Sequence, residues 1–164
     1  RGRIGNSRGA SSVAFDLGVL YKCEINDWEG AGWSVGLHVS NLGPKINYLT
    51  SKDALPATVK VGGAADLPFL QMHKLTLTAD LGYRLSPADV QALSVSAGAE
   101  YAWRELVMLR GGYHCGDKKK GDASYATAGA GVEYAGVRLD FAWLFAGHEY
   151  LARNTFWVSL GYSF

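Results

Sequence analysis

Ten side chains of this 164-residue chain could act on a ligand: Asp16, His38, Lys60, Asp80, Arg84, Glu100, Met108, Arg110, Leu144 and Trp157. Each falls between neighbours of opposite character, so its segment presents two unlike faces. The seven ionisable groups suit a water-filled passage whose charges select among solutes, or a site for a charged ligand. Met108, Leu144 and Trp157, with Leu20, are the apolar members of the same set. Glu133, Arg138 and Asp140 extend it, and the plain structural reading is that opposite charges pair across neighbouring segments, Arg138 and Asp140 against Glu133.

Enzyme chemistry is not expected. No Ser, His and Asp lie in a nucleophile elbow, no phosphate-binding loop occurs, and Gly129-Ala130-Gly131 sits inside an alternating segment rather than before a helix. His38, His73, His114 and His148 lack the spacing and the Cys or carboxylate neighbours of a metal site. No catalytic residue, cofactor or metal is therefore assigned. Cys23 and Cys115 stand far apart with no mate, and both are expected to remain free.

The elements that position these groups follow from periodicity. Val13, Phe15, Leu17, Val19 and Tyr21 alternate with Ala14, Asp16, Gly18 and Lys22, the period of two that marks a strand. The pattern returns at Trp33–Val39, Val59–Ala65, Leu75–Tyr83, Leu93–Tyr101, Val107–Tyr113, Ala128–Tyr134, Val137–Phe145 and Phe156–Phe164. About nine strands and no helix result, in one all-β domain over residues 1–164. None of the apolar-face positions is charged, while the other face carries a charge mid-strand in most segments. An apolar face of this kind meets either a protein core or lipid.

Composition narrows the choice. Charged residues are 19% of the chain against 48% hydrophobic, and 16 Lys+Arg balance 15 Asp+Glu to a formal charge of +1. No basic surplus points to nucleic acid, the chain is too apolar for disorder, and no apolar run is long enough for a membrane helix. Strands of about ten residues match a tilted bilayer crossing. Tyr21, Trp33, Tyr83, Tyr101, Tyr113, Tyr134, Trp143 and Tyr162 sit near strand ends, as interfacial girdles do. Connections alternate too: those at Ala135-Gly136 and Trp103-Arg104-Glu105 are short, while 41–54, 116–123 and 147–152 are longer and would face outward. The connections Glu24 to Ala31 and Leu67 to His73 are longer than a simple porin has. Together these features predict an antiparallel transmembrane β-barrel in a bacterial outer membrane, with membrane lipid as its first partner.

The last segment, Phe156-Trp157-Val158-Ser159-Leu160-Gly161-Tyr162-Ser163-Phe164, places Phe156, Val158, Leu160, Tyr162 and Phe164 at every second position and ends on an aromatic. It resembles the signal read by the outer-membrane assembly machinery. Gly36-Leu37-His38-Val39-Ser40-Asn41-Leu42-Gly43-Pro44-Lys45-Ile46, followed by Leu55-Pro56-Ala57-Thr58-Val59-Lys60-Val61-Gly62, resembles the PorV/PorQ family of the FadL-like superfamily, to which an uncharacterised spirochaete outer-membrane family is similar. Gly98-Ala99-Glu100-Tyr101 and Leu109-Arg110-Gly111-Gly112-Tyr113 continue the likeness. The resemblance implies a full barrel with more strands than this chain supplies. As it opens on Arg1 and yields an odd count, it is expected to be the C-terminal portion of such a barrel. It also implies one of two roles. The first is FadL-like binding or transport of a hydrophobic or small ligand across the outer membrane. The alternative is a PorV-like docking or shuttle barrel for secreted proteins in a type IX secretion system.

Overall fold

The computed structural model describes residues 13–44, 46–47, 52–147 and 154–163. Its strands are β1 (Phe15–Glu24), β2 (Gly32–Leu42), β3 (Ile46–Asn47), β4 (Lys52–Asp53), β5 (Thr58–Phe69), β6 (His73–Arg84), β7 (Leu93–Trp103), β8 (Val107–Cys115), β9 (Tyr125–Tyr134), β10 (Val137–Ala146) and β11 (Phe156–Tyr162). Nine of them form one sheet in the order β1-β2-β5-β6-β7-β8-β9-β10-β11, every neighbouring pair antiparallel. The short β3 and β4 pair with each other inside the connection from β2 to β5. Among the described residues the only helical turns are single 3-10 turns at Ala88–Val90 and Lys118–Lys120. The all-β, nine-stranded architecture expected from the alternation is what the chain forms.

Burial runs opposite to that of a water-soluble sheet. On β8, Leu109 is 54% exposed, whereas Met108 and the Arg110 side chain, on the other face, are 5% and 29% exposed. Outward Val95, Val132 and Leu139 are likewise open, while inward Ser96, Glu100 and Asp140 are half-buried. A soluble fold would not present a whole sheet face of exposed aliphatics, and a bilayer is the medium that stabilises it. Rings bracket the aliphatic band. At one end lie Tyr21 packed on Trp33 at 5.6 Å, and Phe69, His73 and Tyr101, the His73 Nδ1 bonded to the Tyr101 hydroxyl at 2.6 Å. At the other lie Tyr83, Tyr113 and the cluster of Trp143, Phe145 and Phe156. From His73 to Tyr83, strand rise of about 3.4 Å per residue at a ~40° tilt gives roughly 26 Å, close to the height of a lipid-facing band.

The ends of the sheet differ. Phe69 to His73, Trp103 to Val107 and Tyr134 to Val137 are joined by tight turns, with left-handed backbone at Leu70 and Gln71, Arg104 and Glu105, and Ala135 and Gly136. Only the last has a glycine, giving a two-residue hairpin with both central φ positive. The connection expected to be long at Leu67–His73 is in fact tight, because β5 carries on through Leu67 and Pro68 to Phe69. Pro68 costs no ladder bond at this strand end, and its carbonyl accepts from Trp28 Nε1 at 2.9 Å. The opposite end carries the long connections 43–57, 85–92, 116–124 and 147–155. Because eight antiparallel pairings separate them, the edge strands β1 and β11 run in the same direction.

Candidate functional site on the inner face

Charges on β7, β8, β9 and β10 are joined into one chain. Arg110 Nε donates to Glu100 on the paired strand, and Arg110 Nη1 donates to Asp140 Oδ1 at 2.5 Å. Asp140 in turn accepts from Arg138 Nε at 2.8 Å, and Arg138 Nη1 lies 3.7 Å from Glu133. The Arg110–Asp140 bond spans a whole strand, since β9 lies between β8 and β10. Gly131 makes this possible: a Cβ there would stand 2.5 Å from Asp140 Oδ1 and 3.2 Å from Arg110 Nη1. On the neighbouring strands at the same register level, Asp66 accepts from Thr76 Oγ1 at 2.6 Å and meets Lys74 Nζ at 3.3 Å.

A second network lies at the long-loop end. His114 bonds Ser96 Oγ through Nδ1 and Asp122 Oδ1 through Nε2, each at 2.9 Å, and stacks on Tyr125 with centroids 4.8 Å apart. Asp122 belongs to the loop 116–124, so the imidazole fastens that loop to the wall. The same loop is tied to its neighbour: Arg84 Nη1 donates to the Lys120 carbonyl at 3.0 Å, and Lys120 Nζ to the Gln91 carbonyl. Within it, Asp117 caps the Lys119 amide at 3.0 Å and Gly121 takes a φ of 77°. Loops 85–92 and 116–124 thus form one braced surface.

The remaining part of the inner face, over β1, β2, β5 and β6, is hollow. A groove of about 540 Å³ runs along it, with His38, Lys60 and Asp80 on its walls. All three side chains reach solvent, whereas Glu100, Arg110, Glu133 and Asp140 are half-buried and paired with one another or with the exposed Arg138.

The family model for "Type IX secretion system protein PorV" matches residues 1–91, more than half of the chain. The chain belongs to the PorV family. No curated protein matches it. A PorV-family chain is a type IX secretion outer-membrane protein, so the exposed apolar face is the one that lies in the outer membrane, and the charged face turns inward.

Of the ten candidate ligand residues, all but Asp16, which lies at the register shift between Phe15 and Leu17, fall on that inward face by register, and they are scattered over it. Arg110 and Glu100 join the paired chain, with Met108 buried beside Arg110 Nη2 at 3.3 Å. Asp16 accepts the Asn41 amide at 2.7 Å and Arg84 braces Lys120, both at the mouth. His38, Lys60 and Asp80 line the groove. The apolar members are dispersed: buried Leu144 lies diagonally beside Trp157, while Leu20 is on the opposite edge strand. Phe156, Val158, Leu160 and Tyr162 of the terminal signal lie on the outward face of β11; Phe164 is outside the described residues, as are His148 and Lys45 of the family motif. Both cysteines are free thiols. His114 is not among the ten candidates; its inward position just before a polar loop is the sequence signal that points to it.

Proposed function

We propose that this PorV-family chain forms part of a docking or shuttle barrel of the type IX secretion system, binding secreted proteins at its outer mouth. The match to the PorV model over residues 1–91 carries the reading. The braced pair of loops 85–92 and 116–124 supports it, because a pre-ordered surface loses little entropy on binding. Passage of a hydrophobic ligand, the FadL-like expectation, has less support, since the inward apolar side chains are dispersed over the wall. The nine strands fit this role as one portion of a larger barrel: β1 and β11 run the same way, so closure in the even-stranded manner of bacterial barrels takes an odd number of additional strands.

The test is site-specific photo-crosslinking from Lys119 in cells that secrete by the type IX route, beside a variant with residues 117–122 replaced by a Gly-Ser linker. Crosslinks to secreted proteins bearing the type IX signal, and loss of secretion in the linker variant while the barrel still assembles, are expected. Normal secretion by an assembled linker variant, together with no crosslink from position 119 in the otherwise unaltered protein, would overturn the reading.

A further inference from the structure

Glycine stands opposite long side chains on both halves of the inner face, as Gly129 opposite Arg110 and Gly131 opposite Asp140, but only in the hollow half are the charged side chains left without a bridging partner among the described residues. His38 lies over Gly18, whose added Cβ would meet His38 Cδ2 at 3.4 Å; Lys60 lies along Gly82 at 3.6 Å; Leu20 lies on Gly36 at 3.4 Å; and Asp80 lies over Gly62 so closely that no Cβ fits there. Each of these couples is a direct cross-strand pair: Gly18 with His38, Lys60 with Gly82, Leu20 with Gly36, and Gly62 with Asp80. Glycine opposite each long side chain lets it lie flat against the wall, and the space above stays open as the 540 Å³ groove. This volume is within the range of small-molecule sites.

The charges in it are unspent. Neither Lys60 nor Asp80 has a hydrogen-bond or ion-pair partner among the described residues, in contrast to Glu100, Arg110, Arg138 and Asp140. His38 stands directly across from Lys60, and Asp80 is the diagonal neighbour of Lys60, a spacing of about 7–8 Å between strands. A solute anion alone would meet Asp80, and a cation alone would meet Lys60. A molecule carrying both charges a few ångströms apart satisfies the two ends together.

We propose that this groove binds a small zwitterion of the amino-acid or short-peptide class. Its carboxylate lies between Lys60 and His38, its ammonium group against Asp80, and its body over the Gly36–Gly62 floor beside Leu20. The site is separate from the mouth loops and does not rest on the docking role.

Triglycine is a suitable probe, titrated by calorimetry against the assembled barrel that contains this chain in a non-ionic detergent, with N-acetyl-triglycine amide as the uncharged control. Weak binding, in the millimolar range, is expected of triglycine and none of the blocked peptide. Lys60→Met and Asp80→Asn should each weaken it about tenfold or more, the loss of a charged hydrogen bond, and Gly36→Leu should fill the floor and abolish it. Equal binding of both peptides, no binding of either, or triglycine binding unchanged in folded variants would overturn the proposal. Where a variant loses its β-sheet circular dichroism, the free-against-blocked comparison on the unaltered chain decides.

Discussion

Gly131→Ala tests the claim that an absent side chain on β9 lets Arg110 reach Asp140. The new Cβ would stand 2.5 Å from Asp140 Oδ1 and 3.2 Å from Arg110 Nη1, inside the bond it has to make room for. A hydrogen bond between charged groups contributes about 1.5–3 kcal/mol, and the low end applies here because both side chains keep some contact with water (29% and 23%). Replacing glycine also reduces the freedom of the unfolded chain, which returns about 0.4–1 kcal/mol. The net expectation is a loss of about 1 kcal/mol. With a urea dependence of about 1–3 kcal/mol per molar, the midpoint falls by roughly 0.5 M.

The assay is urea unfolding of the assembled barrel in phospholipid vesicles, followed by tryptophan fluorescence, for Gly131→Ala, Asp140→Asn and the double variant. If both single changes break the same bond, the double variant should be little worse than Asp140→Asn alone, giving a coupling of about 1 kcal/mol. Strict additivity would refute the reasoning, because it would mean that the alanine acts on the backbone of β9 and not on the bridge.

Other consequences follow from the two faces and from the mouth. Leu77→Arg, on the outward face near mid-strand, should cost about 2–4 kcal/mol in the same vesicle assay, whereas inward Thr78→Arg should cost far less; equal costs would contradict the assignment of faces. His114→Ala removes the bonds to Ser96 and Asp122, and at about 1 kcal/mol for a lost hydrogen bond should raise the open population of loop 116–124 roughly fivefold. Limited trypsin cleavage at Lys118, Lys119 and Lys120 reads this directly, and an unchanged rate would show that His114 does not hold the loop. Tyr101→Phe, which removes only the hydroxyl bonded to His73, should lower stability by about 1 kcal/mol without altering the heat-modifiable migration of the barrel.

The strands and their two faces were legible in the sequence, because side-chain alternation is a property of neighbouring residues and does not depend on what the strand packs against. Val107, Leu109 and Tyr113 had to lie opposite Arg110 and His114 whatever the rest of the chain did. The tight turns were less legible. Arg104-Glu105 shows in the sequence as a short connection, but Leu70-Gln71 turns in left-handed backbone without a glycine to mark it, and the alternation does not reveal that β5 continues through Leu67 and Pro68 to Phe69. Candidate residues could be gathered onto one face but not sorted, since alternation says nothing about which strand stands beside which. Pairing register supplied that. It carried Arg110 across Gly131 to Asp140, set His114 between Ser96 and Asp122, and left Lys60 and Asp80 facing glycines. The medium was also beyond local pattern alone. An apolar stripe suits a core or a bilayer equally well, and only the assembled sheet shows that nothing in the described chain covers Leu109, Val132 or Leu139. Burial is decided by contacts between distant segments, so the alternation named the face and tertiary structure named what it meets.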